Sequence, residues 1–272
     1  NLKDRNILLI YSLDFLFETR GQISHTDKIV ILAMDALTFE QDEFRVWPWP
    51  RSLYARAIDK LSKAGAKVVG LDIDFSSYQA KENDAKLVES VKKANNVIAV
   101  ATFERGDSQM NTKLKIKIDK YNQPFKELKH SLAKYGYSSF DLDTDKYVRR
   151  ENLFIREGDN IYYPFALSIL SFYNNVSEED LLNEIKKKVK LLYNEERKIN
   201  DSIIINYSGH ATTYKTIPFF KVISDEKVLS EFKDKIILIG STVTILQDEK
   251  PTPFGILSGV EIHANLIDTI LN

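Results

Sequence analysis

Cysteine is absent from the 272 residues, which removes disulfides, thiolate nucleophiles and cysteine-based metal sites together. An oxidising compartment is compatible with that absence. No apolar run reaches the roughly 18 residues that a membrane-spanning helix needs. The stretch Ile7 to Phe17 falls short and carries Asp14; it suits an amphipathic helix lying on the domain or on a second subunit. An excess of one charge is missing too: 38 basic and 39 acidic residues leave a net charge of −1, so there is no broad field for nucleic acid. Lys186-Lys187-Lys188 is flanked by acidic residues and reads as a solvated helix face. Glycine and proline number only ten and seven, and nowhere do they gather into an interdomain linker.

What remains is an ordinary folded composition, 43% hydrophobic and 28% charged, in a chain long enough for a sizeable core. Ile29-Val30-Ile31-Leu32-Ala33-Met34 has the continuous apolar pattern of a strand buried on both faces, with Asp35 at its C-terminal end. Leu53, Ala57, Leu61 and Ala64 repeat at helical spacing before Gly65. Val68 to Phe75 is a second strand, and strand, helix, strand in that order make a βαβ unit with parallel strands. The helix is entered through Trp47-Pro48-Trp49-Pro50-Arg51, which contains both tryptophans. Its prolines predict an extended, stiff linker, with Pro50 in the first helical turn. The tryptophans cap the core there or wall a ligand pocket at the strand ends, where open α/β sheets place their sites.

Further on, the pattern predicts a helix over 83–94 and a third buried strand, Val97 to Ala101. The polar stretch after Glu104 contains the alternation Leu114, Ile116, Ile118 of an edge strand. Two extended segments, 135–142 and 147–156, flank an aspartate-rich turn, so the middle of the chain reads as antiparallel. Tyr163-Pro164 opens a helix, and the charged insertion 177–198 is helical. Ile203 to Tyr207 and Lys235 to Gly240 are further buried strands, and 259–268 is a last helix. The fold class is α/β: a mostly parallel central sheet flanked by helices in three layers, with an antiparallel hairpin region in the middle.

Catalytic chemistry finds little support. Asp72-Ile73-Asp74 at a strand end is like a phosphatase nucleophile motif, but no supporting lysine or later acidic pair follows it. Asp141, Asp143 and Asp145 alternate like the start of an EF-hand loop, whose sixth and twelfth positions here hold Lys146 and Asn152. Glu261-Ile262-His263 lacks a second histidine at metal-binding spacing. Gly240-Ser241-Thr242 follows a strand without a Walker lysine, and Ser208 and His210 lie outside any nucleophile-elbow pattern. No catalytic residue, metal or cofactor is therefore assigned.

The segments 29–35, 47–55, 65–75, 205–209, 234–242 and 251–265 together resemble the CHASE2 domain, in that family's order and over nearly the whole chain. Asp143-Thr144-Asp145-Lys146-Tyr147-Val148-Arg149-Arg150 also resembles the family's aspartate-rich turn, with Lys146 standing where a glycine is usual. The resemblance implies a non-catalytic, extracytoplasmic input domain of a bacterial membrane receptor, joined to transmembrane helices and a cytoplasmic output such as a nucleotide cyclase, kinase or diguanylate cyclase. The chain begins with Asn1 and is expected to be a segment of such a protein, with a juxtamembrane-type helix over 1–24 and the sensory domain over 25–272. The expected partners are a small-molecule ligand and a second copy of the chain, and nucleic acid is not among them. The expected ligand site lies at the C-terminal strand ends: Asp35, Trp47, Arg51, Asp72, Asp74, Asn206, Thr242, Glu261 and His263. Arg51 is expected to meet Asp35, Asp72 or Asp74. A constitutive dimerisation module, using Leu9, Leu13 and Leu16 of the first helix, is the alternative.

Overall fold

The computed structural model describes residues 12–105, 118–193, 202–246 and 248–272. A first helix, α1, covers 12–20. Strands β1 (Ile29–Met34), β2 (Val68–Asp72), β3 (Val97–Arg105), β4 (Ile118–Asn122) and β5 (Lys134–Tyr137) are followed by the short β6 (Arg150–Asn152), β7 (Ile155–Glu157), β8 (Asn160–Tyr162) and β9 (Ser202–Ile204). Then come β10 (Lys215–Pro218), β11 (Ile236–Ser241) and the pair β12 (Glu249–Thr252) and β13 (Gly255–Ser258). The helices after α1 are α2 (Ala36–Phe39), α3 (Arg51–Lys63), α4 (Lys81–Ala94), α5 (Lys126–Ser131), α6 (Phe165–Asn174), α7 (Glu178–Tyr193), α8 (Phe219–Ser224) and α9 (Gly259–Leu271).

The central sheet runs β10-β1-β11-β2-β3-β4, with β5 also paired to β3. All its pairings are parallel except β3 with β4. Every residue of β1 and β11 is buried, as strands with helices on both faces require. Alternation divides them: Val30, Leu32 and Met34 join the layer of α3, α4, α5 and α8, while Ile29, Ile31 and Ala33 join that of α6, α7 and α9.

β1 and β2 run parallel, as the βαβ reading expects, with β11 between them. Three expectations change. β5 joins the central sheet in parallel, so the middle of the chain is antiparallel only in β4 and in the small pairs β6-β9 and β7-β8. The run Ile203 to Tyr207 is not a central strand: β9 pairs with β6, Ile204 is exposed, and Ile205 and Tyr207 turn inward beyond it. The Trp–Pro linker is bent over 45–48 rather than straight, with a cis Trp47–Pro48 bond, and Pro50 caps α3 instead of entering it. Leu9, Leu114 and Ile116 lie outside the described residues.

Candidate functional site

The chain leaves β1 and β2 towards the α3–α4 layer but leaves β11, which lies between them, towards α9 on the opposite face. That reversal makes a topological switch point at the C-terminal ends of the three strands, the crevice position at which open α/β sheets bind ligands. Strand register sets Met34 opposite Ser241 and Gly240 opposite Asp72, so Asp35, Asp72 and Thr242 all lie at this rim. The Thr242 N–H donates to Met34 O at 3.3 Å.

Asp72 points towards α9. A side chain at Gly240 would place its Cβ 2.7 Å from Val260 and 3.3 Å from Asp72, so only glycine lets the first turn of α9 close on the strand end. His263 then lies with Nε2 3.8 Å from Asp72 Oδ1, the two side chains only 2% and 8% exposed. Phe140 and Phe165 cover the imidazole, with ring centroids 4.6 and 5.1 Å away. Neither ring nitrogen nor Asp72 Oδ2 has a hydrogen-bond partner, a rare condition for buried polar atoms. Burial raises the Asp72 carboxyl well above the usual range, with the Asp248 charge adding to this and Lys250 opposing it. Burial also lowers His263 to about 3. Asp248 is raised by burial in turn, against the pull of Lys250.

The other predicted residues do not join the Asp72–His263 pair. Asp35 caps α2, accepting from the Thr38 N–H at 2.9 Å and its hydroxyl at 2.7 Å. β2 ends at Asp72, so Asp74 is turned outward and accepts from the Ser76 N–H. Glu261 closes a capping box on Ser258 and accepts from the Thr212 N–H at 2.7 Å. Arg51 meets none of the three expected carboxylates. It donates to Asp84 Oδ1 at 2.6 Å and to Ser77 O, with its guanidinium 4.7 Å from the Phe125 ring centroid. Sequence reading had no signal for this, because Asp84 lies inside an ordinary polar helix. Trp49 is buried and donates to Phe44 O, while Trp47 packs on it from the surface. Beside the Arg51–Asp84 pair is a cleft of about 700 Å³, walled by Tyr78, Val88 and Phe125. Tyr78 donates to Glu127 at 2.7 Å.

Asn206 lies away from the strand-end crevice, in a segment that touches both terminal helices. Arg20 at the end of α1 donates to Asn206 Oδ1 and Tyr207 O, and the Ile23 N–H donates to Ser208 O. From the same segment, the Asn206 N–H donates to Thr269 Oγ1 and the Ser208 N–H to Asn265 Oδ1, both on α9. The Ser208 hydroxyl is engaged with Asp268, and His210 Nδ1 lies 2.8 Å from Phe254 O. The aspartate-rich turn is organised by Arg149, which is fully buried and bonded to Asp14 of α1, Asp143 and Asp145. Lys146 takes φ of 69° there, so the turn keeps a left-handed residue without glycine.

Among the described residues no helix is long and apolar enough to cross a membrane. Neither a curated protein nor a solved structure matches the chain. The family description that does match is "CHASE2 domain", over residues 6–272. That match spans nearly the whole length, and the chain belongs to the CHASE2 family of extracytoplasmic sensory domains.

Proposed function

We propose that this chain is the input domain of a bacterial membrane-bound receptor, detecting a small ligand and passing a conformational change to a cytoplasmic output domain. The observation that carries this reading is the loop 73–80. At one end it begins at buried Asp72; at the other, Tyr78 and Gln79 wall the 700 Å³ cleft. That volume is within the usual range for small-molecule sites. A ligand seated on Tyr78 and Phe125 biases the loop, and through it Asp72 and the first turn of α9. It drives a change only if it binds the two arrangements with different affinity. In the full-length receptor, Tyr78→Ala and Ala85→Arg should abolish signal-dependent output without lowering the melting temperature of the domain. Unchanged output from both variants contradicts the cleft assignment.

A second reading, a ligand-independent dimerisation module, is favoured by one feature: Phe15 and Leu16 on α1 are 66% and 62% exposed. Paired apolar residues left in solvent suit a second copy of the chain. Sedimentation of wild type and a Phe15→Ser/Leu16→Ser variant decides it, since a dimer built on α1 dissociates in the variant.

A further inference from the structure

Buried Asp72 and His263 pose a question of charge. At 3.8 Å they are beyond hydrogen-bond reach of each other, and Asp72 Oδ2 and both imidazole nitrogens are unpaired. A carboxylate and an imidazolium held this way would lose their hydration and gain no bonds in return. The uncharged acid and the uncharged imidazole fit the site better. In water the preference reverses, because the ordinary values of 3.8 and 6.5 give a carboxylate and an imidazolium between them. Both arrangements hold the same single proton.

The β12–β13 hairpin begins at this pair and reaches the first helix. Asp248 and Lys250, 3.6 Å apart, are its charged groups facing Asp72, and Asp248 O accepts the Gly259 N–H at the start of α9. Further along, Pro251 O accepts the Val148 N–H, next to Arg149. The Phe254 ring lies 5.9 Å from Phe17, with the Arg20 guanidinium 5.8 Å from its centroid. The remaining carboxylates around the pair are engaged elsewhere: Asp35 with Thr38, Asp74 with Ser76, and Glu261 with Ser258 and Thr212. Phe140 and Phe165 close the other sides without charge.

We propose that Asp72 and His263 form a one-proton switch beneath the β12–β13 hairpin. With the hairpin closed the proton stays on Asp72 and both groups are neutral. When the hairpin lifts and water enters, the Asp72 O–H bond breaks, the proton is carried to a ring nitrogen of His263, and the carboxylate and imidazolium hold the crevice open. The hairpin is then a two-state element linking the strand-end crevice to α1. The switch deepens the sensory reading and rests on it only for the use made of the motion.

Proton counting makes the switch testable. Opening releases a proton from Asp72 and adds one to His263, so between about pH 4 and 6.5 it is independent of pH. Asp72→Asn leaves only the uptake, and opening should increase about tenfold per unit as pH falls below about 6.5. His263→Leu leaves only the release, and opening should increase about tenfold per unit as pH rises above about 4. Hydrogen exchange of amides 249–258 in the 272-residue chain, corrected for intrinsic rates, reads all three proteins. A flat wild type with the two variants sloping in opposite directions is the expected result. A pH-independent Asp72→Asn protein, or a wild type that opens in acid as steeply as that variant, overturns the switch. If His263→Leu does not fold, the Asp72→Asn slope decides alone. Because receptor output is not measured, this result is independent of the test of the sensory reading.

Discussion

Arg149 uses all five of its N–H donors on three carboxylates, binding Asp14 and Asp145 in bidentate fashion and Asp143 through Nη1. Burial alone would lower the affinity of the guanidinium for its proton, but the bonds to Asp14, Asp145 and Asp143 outweigh it and raise that affinity. Replacing Arg149 leaves three acidic groups facing one another, and Arg149→Met should cost about 3 kcal/mol in urea unfolding. Arg149→Lys should recover little of this, since an ammonium cannot repeat the fork. The Arg149 hydrogen bond holds Asp145 below the ordinary carboxylate value of 3.8. Its contribution is therefore complete above that value and is lost as pH falls through the lowered one. Lys146 works in the opposite direction. At φ of 69° its side chain crowds the backbone, and Lys146→Gly should stabilise the domain by about 1 kcal/mol.

At the scale of elements, the helix α6 comes close to the sheet over two glycines. A Cβ at Gly136 would lie 2.8 Å from the Phe165 backbone, and one at Gly70 would lie 2.9 Å from the Phe165 and Ile169 side chains. The backbone cannot yield as a side chain can, so Gly136→Ala should cost about 1–3 kcal/mol, read as a lowered urea midpoint. The elements legible in the sequence were those with strong patterns: the apolar runs of β1 and β11, and the helical spacing of α3 and α9. β10 was not legible, because four residues containing an exposed lysine and a proline carry no strand period. The parallel pairing of β5 is not legible either, because Lys134-Tyr135-Gly136-Tyr137 lacks the apolar run of a buried parallel strand. Its pairing with β3 depends on the chain returning through α5, which local pattern does not encode.

For the whole molecule, the residues expected together at the C-terminal strand ends are ones that the fold largely separates. Asp72 and His263, 191 positions apart in number, do meet, because Gly240 lets α9 close on β2. Arg51 goes to Asp84, and Asn206 belongs to the segment tying α1 to α9. Those partners depend on where helices pack, and a single sequence does not report that. In the proposed receptor, the state of the strand-end pair reaches the output through the hairpin and the terminal helices. This coupling is tested most directly by the output of the full-length receptor in membranes, wild type against Asp72→Asn, at pH 5 and 7.5, values chosen about the ordinary histidine range. The variant's output should shift between the two pH values together with hairpin exchange, beyond any shift in wild type. Output that stays the same while hairpin exchange changes would contradict it.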